Sequence, residues 1–185
     1  MPTKNKLAET CKNNVVPYII WLLISAALVA VDRISKVLIV RYLPDGKEVR
    51  VIPYVFNFVY VENRGAAWGI LANNRWVFIV ISSIAIIGIA FALLYLARYK
   101  KPLVSSLALI FAGGIGNMID RLANGYVVDF IQFDFFKKFP VFNVADSYVT
   151  IGGFMIVIYL IFFDKTLFAK KEKKSDENDN SDAGA

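Results

Sequence analysis

Four long apolar stretches decide what this chain can fold into. The first begins near Val15 and reaches Val31, extending to Val40 if Asp32 and Lys36 are tolerated. The others are Trp76–Ala97, Leu103–Ile119 and Tyr148–Phe163. A helix crosses a hydrocarbon core with roughly 17–25 predominantly apolar residues. The expected fold is therefore a membrane protein, mainly α, with four transmembrane helices. Composition agrees: 57% of the 185 residues are hydrophobic, 19% are charged, and the mean hydropathy is +0.54. That is too apolar for a soluble domain and too short for several domains. Lys4, Lys6 and Lys12 precede the first stretch as in a secretory signal, but no small-x-small cleavage site follows, so the segment is expected to stay.

Basic residues beside the spans set the direction. The N-terminus, the Arg98–Pro102 turn and the Lys165–Lys174 stretch hold 11 of the 21 Lys and Arg. The remaining 10 are spread over two much longer loops. Density puts both termini and the short turn in the cytoplasm and both long loops on the outer side, although Arg33, Arg41 and Arg50 make the first outer loop moderately basic. The expected organisation is a cytoplasmic N-terminus over 1–14 and a membrane domain over 15–164, with outer-face loops 41–74 and 120–147. A polar cytoplasmic tail at 165–185 reads as disordered.

The chain has no histidine, which removes Ser-His-Asp and Cys-His mechanisms and the usual zinc ligands. Its single cysteine, Cys11, cannot form an internal disulfide. Chemistry must rest on carboxylates, amides, hydroxyls, Lys or Arg, and these concentrate in the outer loops. Val49–Val61 is rich in β-branched and aromatic residues with rough alternation, so it reads as strand; Pro53 would confine it to an edge or a bulge. The expectation is a small β-rich extracytoplasmic cradle between helices 1 and 2. The turn-forming run Glu62–Gly69 follows, and Trp68 suits either a substrate cradle or the aromatic belt of a membrane surface.

In the third span Ala108, Ala112 and Gly116 recur every four residues, a stripe that allows close helix packing. Gly113, Asn117, Asp120 and Arg121 fall beside it, so one face turns polar toward the outer interface. Asp120 and Arg121 could simply form a charged helix end that fixes topology. Asp129 lies among Val127, Val128, Phe130 and Ile131, and a carboxylate in such an apolar strand invites a raised pKa. Asp146 stands at the mouth of the fourth span, where capping alone would account for it. Two such carboxylates can share a proton: one activates water against a peptide carbonyl while the other polarises that carbonyl.

Five segments in order then resemble a known family, the lipoprotein signal peptidases (signal peptidase II). They are Asp32-Arg-Ile-Ser-Lys36, Asn63-Arg-Gly-Ala-Ala-Trp68, Gly113-Gly-Ile-Gly-Asn-Met-Ile-Asp-Arg121, Gly125-Tyr-Val-Val-Asp-Phe130 and Phe142-Asn-Val-Ala-Asp146. The resemblance runs from Asp32 to about Gly153. It implies a bacterial membrane aspartic endopeptidase whose catalytic pair is Asp129 and Asp146. Substrate binding or site support would fall to Asn63, Gly65, Trp68, Gly113, Asn117, Arg121 and Asn143. Asp32, Lys36 and Asp120 would be structural polar residues. The implied reaction removes signal peptides from diacylglyceryl-modified prolipoproteins by cutting before the lipidated cysteine. Globomycin-type inhibitors and membrane lipid would be partners, and no metal or other cofactor is implied. Trp68 stands where many relatives carry phenylalanine, which bears on fit rather than chemistry.

Other classes were open at this level. A proton-coupled small carrier also uses intramembrane acids, but these acids cluster at one interface and the chain has no repeated halves. A non-enzymatic scaffold would tolerate isosteric changes at both aspartates, and a metal-dependent hydrolase would be sensitive to chelators. Four helices and a loop sheet are expected to pack as a monomer.

Overall fold

The structure, a computed structural model, describes residues 4–43, 47–65, 74–97 and 101–163, with side chains from residue 16 onward. Its elements in order are α1 (Lys4–Tyr42), β1 (Val49–Ile52), β2 (Phe56–Asn63), α2 (Arg75–Leu96), α3 (Lys101–Ala123), β3 (Val127–Phe133) and α4 (Val144–Phe162). The molecule is mainly helical with one small antiparallel sheet.

Among the described residues, α2, α3 and α4 are long and apolar enough to cross a membrane. Helix α2 has no buried residue although it is apolar all round, so its surface requires an apolar surrounding. Helix α1 has 39 residues and, at 1.5 Å per residue, is about 58 Å long. It runs unbroken through Asp32 and Lys36 to Tyr42, past both limits set by the apolar run.

Helix α3 packs against α1, α2 and α4. Ala108, Ala112 and Gly116 are buried, as the small-residue stripe requires. A β-carbon at Gly116 would collide with the Asp32 carboxylate of α1, and one at Gly113 would meet the Ala145 carbonyl and a Val149 methyl of α4. These two glycines set how near the neighbouring helices approach.

The sheet order is β1-β2-β3, antiparallel throughout. Its third strand comes from the segment between α3 and α4, so the cradle is not confined to the stretch between the first two helices. Pro53 sits in neither an edge nor a bulge: it precedes Tyr54 in the turn that splits Val49–Val61 into two strands. Tyr54 has φ 65°, and its N–H donates to Asp134 Oδ2 at 3.0 Å. Asp134 Oδ1 also accepts from Asn57 Nδ2 at 3.2 Å, which ties the hairpin to the end of β3. The bulges fall between Arg50 and Ile52 and between Phe58 and Val61. Ile39 of α1 and Leu43, just past its end, pack on Val128 and Phe130 of β3, so the sheet is seated on the end of α1.

Candidate active site

Alternation along β3 turns Val128 and Phe130 toward α1 and Asp129 to the other face. Asp129 is 2% exposed. Its Oδ2 accepts from Asn63 Nδ2 at 2.8 Å and its Oδ1 from Asn143 Nδ2 at 2.6 Å. The β2–β3 register makes the first of these possible. Val61 lies opposite Asp129, and Asn63, two residues on, shares that face. Asn63 Oδ1 in turn accepts the Gly65 N–H at 2.9 Å.

Asp146 is not the cap of α4. The cap is Asn143, whose side chain accepts from the Asp146 N–H at 2.9 Å, while Asp146 Oδ2 accepts from the Asn143 N–H at 3.1 Å. This reciprocal capping box fixes the first turn. Asp146 Oδ1 remains for Asn117 Nδ2, at 2.8 Å. Asn143 therefore touches both acids, one through its amide and the other through its backbone. It is fully buried and also donates to Asn117 Oδ1 at 3.2 Å and to the Val128 carbonyl at 3.3 Å.

Both aspartates line one cavity of about 650 Å³, together with Asn63, Gly65 and Arg121. The Arg121 guanidinium lies over the Phe78 ring at 5.0 Å. Phe133, Phe139 and Phe142 supply an apolar wall. Burial, and next the negative charge of Asp146, push the Asp129 carboxyl up from 3.8 to about 7; hydrogen bonds from Asn63 and Asn143 and the charge of Lys36 oppose this.

Behind the acids is a second polar cluster. Lys36 Nζ lies 3.0 Å from Asp32 Oδ2 and 2.9 Å from Asp120 Oδ2, and it donates to Asn117 Oδ1 at 2.9 Å. Arg33 pairs with the other Asp120 oxygen. Asp32 Oδ1 accepts the Ala145 N–H at 3.0 Å, satisfying one of the free donors at the start of α4. Asp120 Oδ2 accepts the Val128 N–H at 3.3 Å. Three buried charges, Asp32, Lys36 and Asp120, and the half-buried Arg33 thus form a paired network, as burial of such charges requires. Asp120 pairs across to α1 while Arg121 turns into the cavity, so they do not form the charged helix end considered from sequence.

Asn63, Gly65, Asn117, Arg121 and Asn143 gather around Asp129 and Asp146. Gly113 does not line the cavity; it lies at the α3–α4 contact. Trp68 falls outside the described residues. Reasoning from sequence missed Phe78 and Thr150, both in the cavity wall. Thr150 was within reach, since it stands one helical turn after Asp146. Phe78 gave no signal among the many apolar residues of α2.

Apolar helices with two acids, one buried and one half-buried, in a cavity at the mouth of α4 define the class: a helical membrane protein with a polar site at one end of its helices. A family model described as signal peptidase (SPase) II matches residues 24–162. The chain is 40% identical over 154 residues to a lipoprotein signal peptidase of Brevibacillus brevis, covering 83% of this chain and 99% of that one. It is 41% identical over 162 residues to one of Enterococcus faecalis, covering 86% and 97%. A solved structure titled as a bacterial membrane enzyme, determined in meso at 2.3 Å, superposes with a TM-score of 0.74 at 37% identity, covering 79% of this chain and 90% of that one. The chain belongs to the signal peptidase II family and is a membrane protease. The carrier and scaffold readings give way to that membership.

Proposed function

We propose that the protein is an aspartic endopeptidase that removes signal peptides from diacylglyceryl-modified prolipoproteins, cutting before the lipidated cysteine. The observation that carries this reading is Asn143, which hydrogen-bonds Asp129 through its amide and Asp146 through its backbone at the wall of one cavity. The pair shares one proton, which rests on Asp129, the more buried of the two. Ionised Asp146 removes a proton from a water as its oxygen attacks the scissile carbonyl carbon. Asp129 donates a hydrogen bond to the carbonyl oxygen, on which charge develops. Collapse of the tetrahedral intermediate breaks the C–N bond, and the proton taken by Asp146 passes to the leaving amine. Arg121, Asn63 and Gly65 hold substrate carbonyls or keep the acids in register, and Trp68 contributes to fit. Gly113 supports the site by letting α4 approach α3.

In this reading α1 is the fourth span, 15–164 is the membrane domain, and both termini are cytoplasmic. The sheet and the cavity stand at the outer face of a bacterial cell membrane, and the enzyme acts as a monomer. The apolar wall beside the acids suits a substrate whose two acyl chains stay in the outer leaflet. Purified protein in detergent is expected to cut a lipidated precursor directly before the modified cysteine, with globomycin inhibiting and EDTA without effect. Equal cleavage of the unlipidated precursor would remove the lipid from the specificity, and cleavage at another bond would overturn the assignment.

A further inference from the structure

A second cavity, of about 300 Å³, opens on the other side of the α1–α3 cluster and does not include the two acids of the candidate site. Arg33, Lys36 and Arg41 line it together with Asp120 and Asn124. Arg33, Val37, Val40 and Arg41 follow one stripe of α1 by helical spacing. Val37 and Val40 are each 54% exposed, so an apolar strip leads into a basic end. Arg33 and Lys36 are occupied by acids, but three cations face one carboxylate in the lining and leave an excess of positive charge. Arg41 has no carboxylate partner among the described residues; its guanidinium lies 5.5 Å over the Tyr42 ring. Arginines on an outer face run against the usual bias toward the cytoplasm, and topology gives them no reason to be there.

We propose that this cavity binds the phosphodiester headgroup of an anionic phospholipid of the outer leaflet. Arg41 and Asn124 hold the phosphate oxygens, and the acyl chains lie along Val37 and Val40. Asp32 also pairs with Lys36, so the three cations exceed the acids that face them by one, which matches a single phosphodiester anion; arginine suits phosphate because its planar fork offers two parallel donors. A lipid seated here touches the Arg33–Asp120 pair, which reaches Asp146 through Lys36 and Asn117. The leaflet, though not the cavity, rests on the topology proposed above.

Native mass spectrometry of the detergent-purified protein with added phosphatidylglycerol or phosphatidylcholine tests the site. Wild type is expected to retain phosphatidylglycerol in preference by roughly fivefold, the effect of one arginine at an anionic lipid surface. Arg41→Gln is expected to lose that preference and Arg41→Lys to keep part of it. Arg50→Gln, on β1 and outside the cavity, should leave it unchanged, and inorganic phosphate should not compete. No preference in wild type, an unchanged preference in Arg41→Gln, or displacement by phosphate alone would each overturn the proposal. A Lys47→Cys protein in a Cys11→Ser background separates site from leaflet. Labelling in intact cells by an impermeant maleimide is expected. Protection of that cysteine with the lipid preference intact would keep the site and overturn the outer-leaflet assignment.

Discussion

Asp129 holds a proton near neutrality because burial and a neighbouring acid outweigh its two amide donors, and this has consequences that can be measured. With the shared proton required, kcat/KM should fall on the alkaline side with an apparent pKa of about 7. The Asn63 donor favours the ionised form, so Asn63→Ala should raise that pKa and move the alkaline limb to higher pH; an unmoved or lowered limb would contradict the account. Stability follows the same linkage. Below pH about 4 the carboxyl is neutral in folded and unfolded chains alike. Between about 4 and 7 the unfolded chain ionises while the folded one keeps its proton, so the Asp129 contribution falls as pH rises and levels off above about 7. Lys36 presents the opposite case, a buried cation between two acids. Lys36→Met leaves Asp32 and Asp120 with one fewer partner and should cost about 3–5 kcal/mol, read as a lowered midpoint of thermal unfolding in detergent.

At the scale of elements, the close approach of α3 to its neighbours depends on glycine. Gly116→Ala drives a methyl into the Asp32 carboxylate and should cost about 1–3 kcal/mol by overpacking. Gly153→Ala, where nothing lies within 4 Å, should be neutral or stabilising by up to about 1 kcal/mol. Thermal unfolding of the two variants side by side checks the contrast. The apolar runs made the helices legible, and the four-residue spacing of Ala108, Ala112 and Gly116 marked the packed face of α3. The start of α4 was not legible from hydropathy, because Asn143 and Asp146 are polar yet sit inside or at the edge of the helix. A capping box, not an apolar run, decides that boundary. The third strand was legible in part: an apolar strand around Asp129 could be read, but not its pairing with β2, which makes it part of the sheet.

Across the whole molecule, two polar clusters from five segments are joined through one asparagine. Asn117 donates to Asp146 and accepts from Lys36, so α1, α3 and α4 are locked at the end where the sheet sits. The sequence carried the members of both clusters, but no spacing rule could show that Lys36 reaches Asn117, 81 residues away. Adjacent helical residues diverge by about 100°, so Asp120 and Arg121 were bound to point apart, but spacing could not name the partner of either. This division leaves two acids facing the cavity, the pair proposed to react, and a cluster of paired charges behind them. The most direct test of that division is cleavage of a diacylglyceryl-modified prolipoprotein by wild type, Asp129→Asn and Asp146→Asn, each first shown to have the wild-type unfolding midpoint within a few degrees. Wild type is expected to cleave and both variants to lose at least about 1,000-fold, because each removes one half of a unit. Near wild-type cleavage by either well-folded variant would contradict the division.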